Sequence, residues 1–181
     1  MRKFVGVLCA AAMLLPVGIM ATTAGAAAAK PSCKTLTGQA SFSPALPALS
    51  SKLTTKPTIT IKGAKLSGCA GGGVTGGTVD STLKFGIANN CKSLLAGATT
   101  NTTGTVTVAW NTKATSTAAK VTLKGLTGKP TSQTVSGKIT AGLFVGSTIS
   151  VTTMFTPLKG GCTTAGLALV SFKNVTPLTV K

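Results

Sequence analysis

Asp80 is the sole carboxylate in 181 residues, and the chain has no Glu, His or Tyr. Paired-acid catalysis, His-based triads and His/carboxylate metal sites therefore lack their raw material. A lone acid can act as a base, but Asp80 lies on the polar face of a strand-like segment and is expected to pair with Lys84 or a cross-strand lysine. Ser and Thr are abundant, yet neither a Ser-x-x-Lys nor a Gly-x-Ser-x-Gly motif is recognised as catalytic. The glycines at 71–73 and 76–77 lack the Gly-Lys-Ser/Thr ending and the following helix of a phosphate loop. A protein without catalytic activity, metal or cofactor is expected.

Cysteine and lysine carry what chemistry remains. Arg2 and Lys3, with the apolar run from Phe4 to Met20 and the small residues after it, form an export signal cut after Ala26 or Ala28. The organisation is thus a signal peptide over 1–28 and one β domain over 29–181, secreted or envelope-associated, with no membrane span after the signal. Cys33, Cys69, Cys91 and Cys162 remain, an even number without CxxC spacing, and they read as two disulfides. Extended at ~3.3 Å per residue, the strand between Cys69 and Cys91 keeps those two apart, which disfavours that bridge. Cys33–Cys69 with Cys91–Cys162 is preferred, and Cys33–Cys91 with Cys69–Cys162 is the alternative.

The elements that must position these groups are strands. Ile59 and Ile61 alternate with Thr and Lys, as do Val79, Leu83, Phe85 and Ile87. Val106, Val108 and Trp110 form another apolar row, and Val121 and Leu123 sit between Lys120, Thr122 and Lys124. Val135, Ile139 and Leu143 share a face, and Ile149, Val151 and Phe155 share the next. Period-two alternation buries one sheet face and wets the other. Breaks are expected at Gly71–Gly73, Gly76–Gly77, Asn111–Lys113, Gly128–Pro130 and Gly160–Gly161, a long loop or edge crossing over Ser43–Pro57, and a helical turn over Cys91–Ala96. The fold class is all-β, an antiparallel sandwich of about seven to nine strands, with a closed barrel as runner-up. An outer-membrane barrel is disfavoured, because Tyr is absent and Trp110 alone makes no aromatic girdle.

The order of the motifs brings a resemblance. Ser41–Leu46 follows Cys33; then come Cys69 with its glycines, Asn90–Gly97, Gly104–Asn111 and Val135–Gly146. This resembles a group of small exported Thr/Gly-rich, four-cysteine proteins of actinobacteria. The resemblance implies export, two disulfides and a β fold, and it brings no catalytic residues.

Lys62, Lys84, Lys120, Lys124 and Lys138 have outward parity, opposite apolar neighbours. Once Arg2 and Lys3 leave with the signal, a net charge of about +15 remains. Uncompensated charges repel one another, so the lysine surface is expected to associate with anionic envelope polymers, lipid head groups or extracellular nucleic acid. The mature chain has no Arg, the residue suited to bidentate guanine contacts, so sequence-specific nucleic-acid recognition is not expected. The competing reading is a carrier holding a small apolar ligand between the sheets near Trp110, which otherwise serves as a core anchor.

Overall fold

The computed structural model describes residues 29–48, 55–91, 99–126, 129–163 and 166–181. The sequence expectations for the signal segment and for the helical turn beyond Cys91 lie outside them. Nine strands form: β1 (Ser32–Leu46), β2 (Thr58–Ala70), β3 (Gly76–Phe85), β4 (Thr99–Trp110), β5 (Thr115–Leu126), β6 (Lys129–Gly142), β7 (Thr148–Gly161), β8 (Gly166–Asn174) and β9 (Leu178–Val180).

Every pairing is antiparallel and each of β1 to β8 lies beside its sequence neighbours. Because β1 pairs with both β2 and β8, the sheet closes into an eight-strand up-and-down barrel with β9 as an extra strand. The expected sandwich is therefore corrected to the closed barrel. Alternation alone cannot separate the two, since both bury one face of every strand. Here each strand from β1 to β7 is followed in sequence by its ladder neighbour, whereas a sandwich needs connections between distant strands.

β9 carries on the line of β8. Thr37 faces Lys173 on β8, and Cys33 faces Leu178 on β9, so the two strands run the same way along β1. Asn174 spans the break: its Oδ1 accepts from the Leu36 amide at 2.8 Å, and its Nδ2 donates to the carbonyls of Lys34 and Thr176. The side chain thus supplies ladder bonds where the backbone turns aside.

Bulges bend the long strands round the barrel. In β2 the register shifts between Ile61 and Ala64, with Gly63 at φ 57°. In β5 it shifts between Ala119 and Thr122, with Lys120 at φ 52°. Inward positions are therefore three apart at these points (Ile61 and Ala64, Ala118 and Val121), which breaks the simple alternation. Gly76–Gly77 and Gly160–Gly161 border the breaks, as the first two residues of β3 and the last two of β7. A Cβ at Gly77 would come within 2.3 Å of the Ala109 carbonyl oxygen, so glycine there permits close approach of β4. Ile87 and Leu143 are exposed, because β3 ends at Phe85 and β6 at Gly142 before their rows can continue. The expected crossing after Ser43 begins later, since β1 continues to Leu46.

The interior is mainly apolar, with a few buried polar side chains at each level. At one end Trp110 is buried, its indole N–H donating to Ser116 Oγ at 2.8 Å, and that hydroxyl donating to the Leu143 carbonyl at 2.7 Å. Phe144 stacks edge-on against the indole, with centroids 5.8 Å apart. At the other end Leu46, Phe85, Asn89, Thr100 and Leu167 are fully buried. The disulfides are Cys33–Cys69, at the tryptophan end, and Cys91–Cys162, at the other. This is the preferred pairing: the reach of the intervening strand speaks only against Cys69–Cys91, and the β1–β2 hairpin selects between the other two. Cys33 and Cys69 are direct partners in the β1–β2 ladder.

Candidate functional site

Two features offer themselves: the outer wall and the lumen. Lys62, Lys84, Lys120, Lys124 and Lys138 are all exposed on the outside of the barrel. The fold does not gather them into one patch. They stand on β2, β3, β5 and β6, and exposed Lys34, Lys159 and Lys173 carry the charge on round β1, β7 and β8. No lysine faces another lysine in any ladder. Lys65 faces Thr37 and Thr78, Lys84 faces Thr58 and Thr103, and Lys124 faces Thr99 and Thr134. Threonine spacers keep like charges off directly opposed positions, where repulsion would cost most.

Asp80 does not neutralise this coat. Its Oδ1 accepts the Gly63 amide proton at 3.0 Å, at the β2 bulge, and it makes no ion pair among the described residues. The expected Asp80–Lys84 pair fails on reach, because residues four apart along a strand are separated by roughly 13 Å. The bulge instead presents a fixed backbone donor to the carboxylate.

The outer wall is also the wrong way round for a lipid-facing barrel. Its strands carry Lys and Thr outward and Val, Leu, Ile and Phe inward, opposite to the pattern of a membrane barrel. No described helix is long and apolar enough to cross a membrane.

The second feature is a hollow in the barrel of about 100 Å³. Its walls include Ile61, Val79, Leu83, Val106, Val151 and Phe172. Ile61, Val106, Val135 and Phe172 have inward positions yet are only partly buried, because the space in front of them is not filled. Eight strands give a lumen just wide enough for side chains to fill or for one small ligand. Ala40 adds only a methyl group to this wall, where Leu or Ile would reach further in.

Trp110 is not part of this hollow; it closes the end beyond it. Polar residues that sequence reasoning did not single out also line it, among them Ser81, Gln133 and Thr153, whose hydroxyl donates to the Gln133 carbonyl. Ser81 is 4% exposed and its hydroxyl has no hydrogen-bond partner. Gln133 is buried on β6, and its side-chain amide bonds to no described residue. The signal for Ser81 was present, as a serine in the apolar row Val79, Leu83, Phe85.

Ser81-Thr82-Leu83-Lys84 also has Ser-x-x-Lys spacing, which the sequence reading passed over. On a helix that spacing would stack the two side chains. On β3 it sends Ser81 into the lumen and Lys84 out to solvent, so no nucleophile–base pair is assembled. Among the described residues no group of three or more His, Cys, Asp or Glu could hold a metal ion.

Fold and site together define a disulfide-bridged, polar-coated β-barrel with a small apolar lumen. No protein-family model matches the chain, and neither a curated protein nor a solved structure proved similar to it.

Proposed function

We propose that this is a non-catalytic exported module that associates, through its lysine coat, with anionic polymers of the cell envelope. The observation that carries the reading is the placement of charge. Every lysine whose burial is described is exposed, and the sole carboxylate is engaged with a backbone amide. Disulfides fit an oxidising, extracytoplasmic setting. Charge on all sides suits a three-dimensional polyanion mesh, which touches a molecule from several directions. A flat anionic bilayer would engage one side and leave the remaining lysines unpaired.

The test is binding to purified anionic wall polymer, to anionic vesicles and to DNA from low to high salt. Wall-polymer binding should fall at least tenfold between roughly 50 and 500 mM salt, through counterion release. K62A, K84A, K120A, K124A and K138A should each weaken it by a similar modest factor, accumulating when combined. Failure to bind wall polymer at low ionic strength, or loss of all binding with one lysine, defeats the reading.

A further inference from the structure

The lumen has properties that the outer coat does not need. We infer that it is a binding site for one small apolar molecule, about the size of a single aromatic ring, that carries a hydroxyl group. The space comes first. The hollow measures about 100 Å³, and an engineered apolar cavity of about 150 Å³ stays dry and admits benzene. A ring-sized guest therefore fits with modest movement of the walls. Packed interiors leave few voids larger than a water molecule, so a hollow of this size at the centre of a small barrel is unusual.

Ser81 supplies the second observation. Its hydroxyl is buried without a partner, against the general rule that buried polar groups are satisfied. Its ladder neighbours are Ile61 on β2 and Val106 on β4, both apolar. A hydroxyl can both donate and accept, so it complements a hydroxyl on a guest in either direction. Ser81 Oγ lies just behind the wall surface, so a small shift of that wall would let an apolar guest with one such group satisfy it while the ring fills the hollow. The Gln133 amide, also facing the space without a described partner, gives a second anchor point on a different wall.

Phenol and toluene test this, because they share shape and differ in hydroxyl against methyl. Titration of the mature disulfide-bonded protein, followed by methyl NMR, should shift the resonances of Leu83, Val106 and Val151 with both probes. S81A should lower the ratio of phenol to toluene affinity by about fivefold, the usual worth of one hydrogen bond. V135F should fill the hollow and abolish binding of both. Absence of lumen shifts with either probe overturns the site, and an unchanged phenol-to-toluene ratio in S81A overturns the part given to the hydroxyl. If V135F does not fold, the far milder S81A still decides the matter. Neither result depends on the lysine coat, so the surface reading stands or falls separately.

Discussion

The two ends of the barrel are closed by different means. At the tryptophan end the turns are short and the closure is local: Trp110 and Phe144 meet edge-on, β9 pairs with both β1 and β7, and Cys33–Cys69 joins residues already opposite in a ladder. At the loop end Cys91, in the connection after β3, is bridged to Cys162, just after β7. β3 and β7 are diametrically opposite in a ring of eight strands, and no ladder joins them. One end is thus held by many contacts between neighbours, the other by a crosslink across the mouth. Neighbouring contacts can fail singly, whereas a crosslink between distant segments has no local substitute.

The sharpest way to break this contrast is to remove the aromatic plug. W110A should cost about 4 kcal/mol, within the range for truncating a buried large aromatic. It also leaves the Ser116 hydroxyl without its indole donor. W110F should lose less, since a ring remains against Phe144 while the N–H is gone. Denaturant unfolding of the oxidised protein measures both. If W110A costs under about 1 kcal/mol, the tryptophan end is not closed by its plug and the contrast collapses.

The disulfides come next. Under the chain-entropy model, C91A/C162A opens a 71-residue separation and C33A/C69A one of 36. That gives losses of about 4 kcal/mol for the first and roughly half a kcal/mol less for the second. The larger difference should be spatial. Without Cys91–Cys162, hydrogen exchange should quicken at the Gly86 and Asn89 amides, which bond to Asn101 and Thr55. Without Cys33–Cys69, the β1–β2 ladder still holds the two strands, and exchange there should change little. Equal spreading in both variants would show that the ladder does not back up its disulfide.

Much of this was legible in the sequence, and the gaps have physical causes. The rows Val106–Val108–Trp110 and Ile149–Val151–Phe155 read correctly, because these stretches carry no bulge to reset their parity. Outward Lys62, Lys84, Lys120, Lys124 and Lys138 followed from the same rule. Their distribution round a closed ring did not, since parity says which face a residue takes but not which strand is its neighbour. Closure depends on β1 pairing on both edges, and local alternation is silent on that. The hollow was hidden for a different reason: it is a property of opposing walls taken together, and alternation along one strand says nothing of the wall opposite. Ile87 and Leu143 misled because apolar rows overran the true strand ends.

The smallest effects separate the ends most finely, through two asparagines in matching roles. Asn111, exposed at the tryptophan end, accepts from the amides of Thr75 and Gly76 through its Oδ1 and donates from its Nδ2 to Thr75 Oγ1. It ties the β2–β3 turn to the β4–β5 turn. Asn89, fully buried at the loop end, donates from its Nδ2 to the Ile87 carbonyl and to Thr100 Oγ1. N111A should cost about 1 kcal/mol, because water can reach the amides it leaves behind. N89A should cost about 2 to 3 kcal/mol, because Thr100 is as deeply buried as Asn89 and loses a partner where water does not reach. Unfolding free energies of the two variants, measured side by side with both disulfides intact, decide the point. A cost for N111A equal to that for N89A would mean that exposure does not soften the loss, and that the tryptophan end depends on single contacts as much as the loop end does.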